Sequence, residues 1–469
     1  FSGMRELYGA FQNQSIKPTE NAINGIQNAL KAINEGWESI DLTAAMEFVR
    51  DDANMIKNQA GSSRFFPTKT FSLKVNKDNV IKSGVVAKNA DKSKMMDEVV
   101  FTIGARILTR EEIMMLDILA NNEWKRGIYF SSPYGSQVSR ALLNAGALKQ
   151  TGSTYEVNPM IQDAPIDVEE MHASLMTVQH FGKMNDPKVL TDYYARRHVI
   201  QYRSQFAALA RYYLHQVDKA NRVKTYPAAY IDMLKTQNTP ESKELLELRA
   251  NADKIIAENK KKVTEILDRC EQVMPVAIVL DGGEPNQSAV FEYQGAKYPR
   301  YSDGVTGDFV QMYYDAGNIA GAEKLGVQLE KQYRQAIEFF LNAPTHLVLN
   351  SANHAHFFAA VDSYLQLFAA SNDIGGNPDG QFAKTTEKYV SELMNQKLND
   401  LYKRLETEIS SDATRGRKAM DLLSLKDYFE ALFSEFGFGS ANQPIQNAAP
   451  NMDFNQLIQE QLKQDSVLE

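Results

Sequence analysis

The chain is short of almost everything that announces a chemistry. It has one cysteine, Cys270, in 469 residues, so it can form no disulfide within itself. That thiol falls on the apolar stripe of a helical pattern, where it acts as a small core hydrophobe. No run of 18 or more apolar residues occurs, so no segment reads as a membrane-spanning helix. There is no HExxH, no CxxC and no GxSxG. Ser131 and Ser132 follow a strand-like run but sit in no nucleophile elbow. Of seven histidines, only His354 and His356 are close. Residues two apart on a helix point roughly 200° from each other and cannot share a metal. Asp281-Gly-Gly-Glu284 and Gly375 to Gly380 are acidic turns without the ligand spacing of a calcium loop. We therefore expect no metal, no cofactor and no catalytic residue of an obvious kind. A basic excess is missing too: 51 basic against 59 acidic residues leaves a net charge of −8. Such a chain repels polyphosphate, and nucleic acid is not an expected partner. Lys260-Lys261-Lys262 lies among glutamates and reads as a solvated helix face. The opening Phe-Ser-Gly carries no basic region and no apolar core of a leader, and reads as cut from a longer protein.

What the chain does have is amphipathic patterning. With 43% hydrophobic and 23% charged residues, it is a folded protein long enough for more than one domain. Ile23, Ile26, Leu30 and Ile33 predict a helix from Pro18 to Gly36. Asp41 is a good N-cap for a second, with Ala44, Ala45, Phe48 and Val49 on one side. Asn58 to Ser63 reads as loop. Phe71, Leu73 and Val75 alternate with Thr70, Ser72 and Lys74, which predicts a half-buried strand. Val99 to Ile103 is a second strand. Thr109 with Glu112 forms a capping box for a helix whose apolar face is Ile113, Leu116, Leu119 and Ala120. Gly127 to Phe130, Ser136 to Ala145 and Tyr155 to Val157 then read as strand, helix and strand. These elements predict an α+β fold class for residues 1–165, a mixed α/β domain with a small sheet.

After Pro165 long helical periods take over, predicting an all-α domain over 166–438. Asp192 to Gln216 carries aromatic and aliphatic positions Tyr194, His198, Tyr202, Phe206, Leu209 and Tyr213 with a helical period. Glu241 to Val273 reads as one long helix, part of a hairpin insertion near 224–270. Asp303 to Ala316 and Ile319 to Leu341 form a pair pivoting on Gly317. Ser351 to Ala370 and Phe382 to Ser410 follow. Two of these pairs have tetratricopeptide-like offsets, which makes the domain a helical repeat. Residues 439–469 read as linker and terminal helix.

Trp124-Lys125-Arg126 is the best recognition candidate, with Asp117 and Tyr129 beside it. An indole can stack on a sugar face, and Arg126 offers a planar donor fork. Asp117 could pair with Arg126 or be solvated. The plainer reading makes Trp124 a core plug at a helix-to-strand joint.

The same residues carry a resemblance. Asp41 to Val49, Phe66-Pro67-Thr68-Lys69, Leu116-Asp117-Ile118, Trp124-Lys125-Arg126 and Ile128-Tyr129-Phe130 occur in collinear order. Asp167-Val168-Glu169, Met184 to Pro187, and Tyr202-Arg203 through Ala210 follow them. From about Asp41 to Leu341 the chain resembles large polytopic membrane proteins of Bacteroidota. Those are related to eukaryotic transmembrane protein O-mannosyltransferases. Gly127 departs from the pattern, which has proline there. The resemblance implies a membrane-embedded glycosyltransferase of GT-C type as the parent, with its catalytic acids on segments not present here. This chain would then be a non-catalytic domain on the extracytoplasmic, periplasmic face. Its expected partners are the membrane portion of its own parent and an acceptor protein, peptide or glycan. The alternatives are an enzyme acting on cell-envelope glycans near Asp117, Trp124, Arg126 and Tyr129, or a pure scaffold.

Overall fold

The fold is that of a computed structural model. It describes residues 17–18, 39–58, 61–66, 68–104, 107–161, 165–189, 192–237, 239–279, 286–302, 304–372, 375–410 and 415–438. The chain divides into two compact units, Phe1–Val178 and Gln179–Glu469. The first mixes short helices with small sheets; the second is largely helical.

Along the first unit run β1 (Lys17–Pro18), β2 (Ile40–Asp41), α1 (Leu42–Arg50), β3 (Ile56–Asn58), β4 (Gly61–Ser63), β5 (Thr70–Lys74) and α2 (Lys77–Ser83). Then come β6 (Glu98–Thr102), α3 (Arg110–Asn122), β7 (Tyr129–Phe130), α4 (Gln137–Asn144), β8 (Leu148–Gln150), β9 (Tyr155–Val157) and α5 (Val168–Ala173). The central sheet has the order β2-β5-β6, with β2 parallel to β5 and β5 antiparallel to β6. β6 alternates cleanly: Val99 and Phe101 point inward, while Glu98, Val100 and Thr102 are exposed. In β5 the alternation is incomplete, because Ser72 is buried between Phe71 and Leu73. Helices α1, α3 and α4 cover the inward face with Leu42, Ala45, Met46, Leu116, Leu119, Val138, Ala141 and Leu142. Apolar surface removed from water at about 25 cal/mol per Å² holds these layers together.

The capping signals in the sequence are real. The Asp41 carboxylate accepts from the N–H groups of Thr43 and Ala44. Thr109 and Glu112 form the reciprocal box at the start of α3. Three expectations need correction. Pro18 belongs to β1, where it pairs with Ile56, and does not open a helix; residues 19–38 of that expected helix lie outside the described residues. Asn58 to Ser63, expected as loop, contributes to the β3–β4 hairpin. Its Asn, Gly and Ser residues signal a turn, but pairing reaches in from both sides. Ala44 and Phe48, expected on the apolar side of α1, are exposed and half-buried; Leu42 and Met46 take the inward positions. The first unit also continues past Pro165. Gln150 N–H donates to Pro165 O at 2.9 Å, and Asp167 N–H donates to Gln150 O at 2.8 Å. These bonds lay residues 165–167 along β8 and keep α5 with this unit.

The second unit contains α6 (Tyr193–Lys224), α7 (Ala228–Gln237), α8 (Pro240–Ala250), α9 (Ala252–Val273), β10 (Asn286–Tyr293) and β11 (Ala296–Ser302). It continues with α10 (Thr306–Asp315), α11 (Ile319–Asn342), α12 (Thr345–Val348), α13 (Ser351–Asn372), α14 (Gln381–Glu392), α15 (Leu398–Ser410) and α16 (Arg415–Glu435). α6 packs along α9, burying Phe206, Leu209, Ala210, Val263, Ile266, Leu267 and Cys270. Gly317 has φ +79°, a left-handed turn that lets α10 fold back on α11.

Here too the structure departs from expectation. Of the positions that mark the helical period of α6, Tyr194 and His198 are exposed. The helix expected over Glu241–Val273 is two helices, broken at Asn251. Phe382 to Ser410 is interrupted by a π turn at Leu393–Lys397. The tail is not helical throughout, because β10 and β11 form an antiparallel hairpin. Its turn is Gln294-Gly295, both with positive φ, the geometry that two-residue hairpins favour. Gln-Gly is a weaker signal than Asn-Gly, and Pro299 argues against a strand except at an edge. The linker and helix expected over 439–469 lie outside the described residues.

Candidate functional site

Trp124 stands at the end of α3. Glu123 and Trp124 have φ +48° and +61°, two consecutive left-handed residues of which neither is glycine. The chain thereby reverses sharply and drops the indole into the core. Trp124 is 5% exposed, and its Nε1 donates to Lys74 O at 2.8 Å. Its ring is therefore not offered to solvent as a stacking platform, and the core-plug reading of this residue holds. Lys125 and Arg126 are exposed. Lys125 Nζ pairs with Glu123 at 2.6 Å, and Arg126 O accepts from Asn122 Nδ2 at 2.7 Å. Asp117 pairs with Arg50 of α1 instead of Arg126, and Asn121 Nδ2 also donates to it.

The turn forms one wall of an open depression of about 620 Å³. The facing wall is the start of α2, with Asn76, Lys77 and Asp78, and Lys92 closes the rim. Asn79 Nδ2 donates to Glu123 O at 2.9 Å and ties the two walls together. Lys77 Nζ pairs with Asp97 at 2.7 Å, and Lys92 Nζ with Asp78 at 2.6 Å. Lys92 holds the Asp78 carboxyl below its ordinary range through hydrogen bonding and charge. In the sequence Lys77, Asp78 and Lys92 look like ordinary surface charges, and only the folding of α2 (Lys77–Ser83) groups them.

Tyr129 belongs to a second constellation. In the sheet β7-β9-β8 it pairs with Glu156, which pairs in turn with Lys149. Cross-strand partners share a face, so the three side chains form a row. Tyr129 is exposed, but Glu156 and Lys149 are buried, 4% and 3% exposed. The Tyr129 hydroxyl donates to Glu156 Oε1 at 2.6 Å. Burial first, and that carboxylate second, push the phenol up to about 12. Burial also raises the Glu156 carboxyl and lowers the Lys149 ammonium, since each charged form loses its hydration. Gly127 lies beside this tyrosine: a Cβ there would be 2.9 Å from the Tyr129 ring. A lysine and a glutamate at matching positions of two short strands were the available clue, but β8 was not anticipated.

Among the described residues, no three His, Cys, Asp or Glu side chains are placed to hold a metal ion. His354 is buried and its Nε2 lies 3.0 Å from Val348 O. No described helix is long and apolar enough to cross a membrane. Among known proteins, a family profile described as TMEM260-associated domain 2 matches residues 6–175. The match covers the first unit almost to its end and stops before α6. No curated protein and no solved structure matched the chain.

Proposed function

We propose that this chain is a non-catalytic extracytoplasmic part of a membrane protein resembling protein O-mannosyltransferases. In that role it serves acceptor binding or assembly. The observation that carries this reading is the match of residues 6–175 to a TMEM260-associated domain. The resemblance of the motifs that continue to Leu341 extends it to the helical unit. Helix pairs such as α6/α9 and α10/α11 are then tetratricopeptide-like units, whose stacked arrangement suits an extended peptide. The partners in this reading are the membrane portion of the same parent and an acceptor protein, peptide or glycan. The place is the periplasmic face of the inner membrane.

The test is a transfer assay with the purified chain, a lipid-linked sugar donor and a hydroxyl-bearing acceptor peptide. The expected result is peptide binding without transfer. A second reading has one observation in its favour, the buried Glu156–Lys149 row with ionisation displaced toward neutrality. Such groups suit acid–base work, and this reading makes the first unit a glycan-acting enzyme. Sugar transfer or glycan cleavage that disappears in Glu156→Gln would replace the non-catalytic reading with this one.

A further inference from the structure

We propose that the open edge of β10 takes up an extended, basic peptide segment as a third strand of the β10–β11 sheet. The two edges of this hairpin are unlike. Tyr293 and Ala296 close its two-residue turn, and such a closing pair exchanges both ladder bonds. Bonded pairs then alternate with unbonded ones. Phe291–Tyr298 is bonded, while Glu292–Lys297 and Val290–Pro299 are not. In an unbonded pair the N–H and C=O groups point away from the partner strand. On β11 that outward edge lacks a donor, because Pro299 carries no N–H. On β10 the outward groups belong to Val290 and Glu292, both exposed. Among the described residues nothing bonds to these backbone groups. A strand edge left in this state is a template for another strand. The bulge at Ser288 interrupts regular pairing, so the open stretch runs from Ala289 to Tyr293.

Charge identifies the partner. Glu292 is the outward charge of β10, with Lys297 Nζ 3.7 Å from its Oε1. At the turn end the Tyr293 hydroxyl donates to Glu430 Oε1 of α16 at 3.1 Å. Asp427 stands one turn before Glu430 on the same helix face, and both are exposed. Burial first, and Glu430 second, raise the Asp427 carboxyl. The lysine next to Asp427 in sequence, Lys426, is committed to Glu406 at 2.5 Å. A strand beside β10 that carries lysine or arginine meets Glu292 on one face and Glu430 or Asp427 at the other. Val290, 55% exposed, takes an apolar side chain between them. Main-chain bonds then supply affinity and alternate side chains supply selectivity. An acidic segment is repelled, and so is a second copy of the chain presenting the same acidic edge. The edge and its charges belong to this unit alone, so the proposal does not rest on a role in sugar transfer.

The experiment titrates the chain into a fluorescein-labelled octapeptide of alternating lysine and valine and reads anisotropy. The expected result is saturable binding, at least about tenfold weaker when glutamate replaces lysine. N-methylation of every second peptide amide abolishes binding in one phase and is tolerated in the other, because only one edge of the peptide faces β10. Val290→Pro gives β10 the missing donor that Pro299 gives β11 and leaves the hairpin's own bonds in place. It weakens binding by at least about tenfold. Glu430→Gln keeps an acceptor for Tyr293 and weakens binding about threefold. Glu387→Gln, exposed on α14, leaves it unchanged. Should Val290→Pro disturb the hairpin, the two methylated peptides make the same test on the unaltered chain. No saturable binding of the basic peptide overturns the proposal, and so does equal binding of the acidic one. Binding indifferent to both Val290→Pro and methylation overturns it while leaving acceptor binding by the stacked helices standing. A dimer that Val290→Pro converts to monomer makes a second copy the occupant and overturns it as well.

Discussion

Both units carry exposed ion pairs, and they differ in the kind of polar bond that lies inside their packing. In the first, most ion pairs lie at the surface: Arg50–Asp117, Lys92–Asp78 and Lys125–Glu123 are all more than one-third exposed. In the second, polar groups go inside the helix packing. Tyr364 donates to Glu330 at 2.9 Å, Tyr389 to Glu338 at 2.9 Å and Tyr313 to Asp268 at 2.8 Å. Burial and these carboxylates raise all three phenols far above their ordinary range, so they remain donors. Arg203, 1% exposed, donates to Met274 O and Val279 O, both at 2.7 Å. The difference has a physical origin. A small sheet fixes its own register through ladder bonds, whereas packed helices can slide and rotate. Buried donor–acceptor pairs admit one register and penalise the others. The first unit has buried polar groups of its own, Glu112, Ser139 and Asn158 together with Glu156 and Lys149, and the Glu156–Lys149 row is the functional candidate among them.

The largest break in this comparison comes from the helical core. Phe357 lies between Phe340 and Phe429, with ring centroids at 5.0 and 4.9 Å. Phe357→Ala should cost about 3–5 kcal/mol of stability, read as a shift of the urea midpoint at unchanged slope.

Asp362 comes next. It is fully buried in α13, with Arg300 Nε 3.5 Å from its Oδ2. Desolvation raises its carboxyl to about 6, against the pull of Arg300. A folded-state value above the unfolded one means that the folded state holds the proton more tightly. Stability from this group is therefore greatest at low pH and falls as pH rises from about 4 through about 6, by on the order of 2–3 kcal/mol. Asp362→Asn should remove that component. Equal pH dependence in variant and parent between pH 4.5 and 7 would refute the assignment.

A smaller effect of opposite sign is expected in the first unit. Glu123→Gly relieves one left-handed non-glycine residue and should stabilise by about 1 kcal/mol, seen as a raised melting temperature. Smallest of all, Lys125→Ala should change stability by less than about 0.5 kcal/mol, because an exposed pair contributes little. A loss above 1 kcal/mol there would blur the contrast between surface and buried pairs.

Local signals were the legible part of the sequence. The Asp41 cap, the Thr109–Glu112 box, the alternation of β6 and the Gly317 pivot each rest on residues within one turn of each other. What was not legible depends on distant partners. β8 is three residues long and exists because β9 and residues 165–167 flank it. The β10–β11 hairpin is anchored by Phe291, Tyr298 and Tyr301 against Tyr428 of α16, a helix the periodicity did not mark out. At the candidate site, Trp124, Lys125 and Arg126 were singled out as a block, but the structure separates them. The indole goes inward, while Lys125 joins an ion pair with Glu123. Asp117 turns to Arg50, a partner 67 residues away that no local spacing could suggest. Tyr129 is the residue whose neighbourhood proved richest, through Glu156 and Lys149.

Arg249 has a consequence for the history of this chain. Its Nη1 donates to Val223 O at 2.6 Å and Lys224 O at 3.0 Å. One side chain from the end of α8 thus finishes α6 and returns the polypeptide to its starting point. The excursion α7–α8 is cinched at its root, and α9 begins beside the place where α6 stopped. To the helix pair, the whole excursion is topologically a tight turn. Its tip is free to lengthen, shorten or diverge among descendants without disturbing the register of α6 on α9, and a foreign peptide grafted there would be carried as cargo.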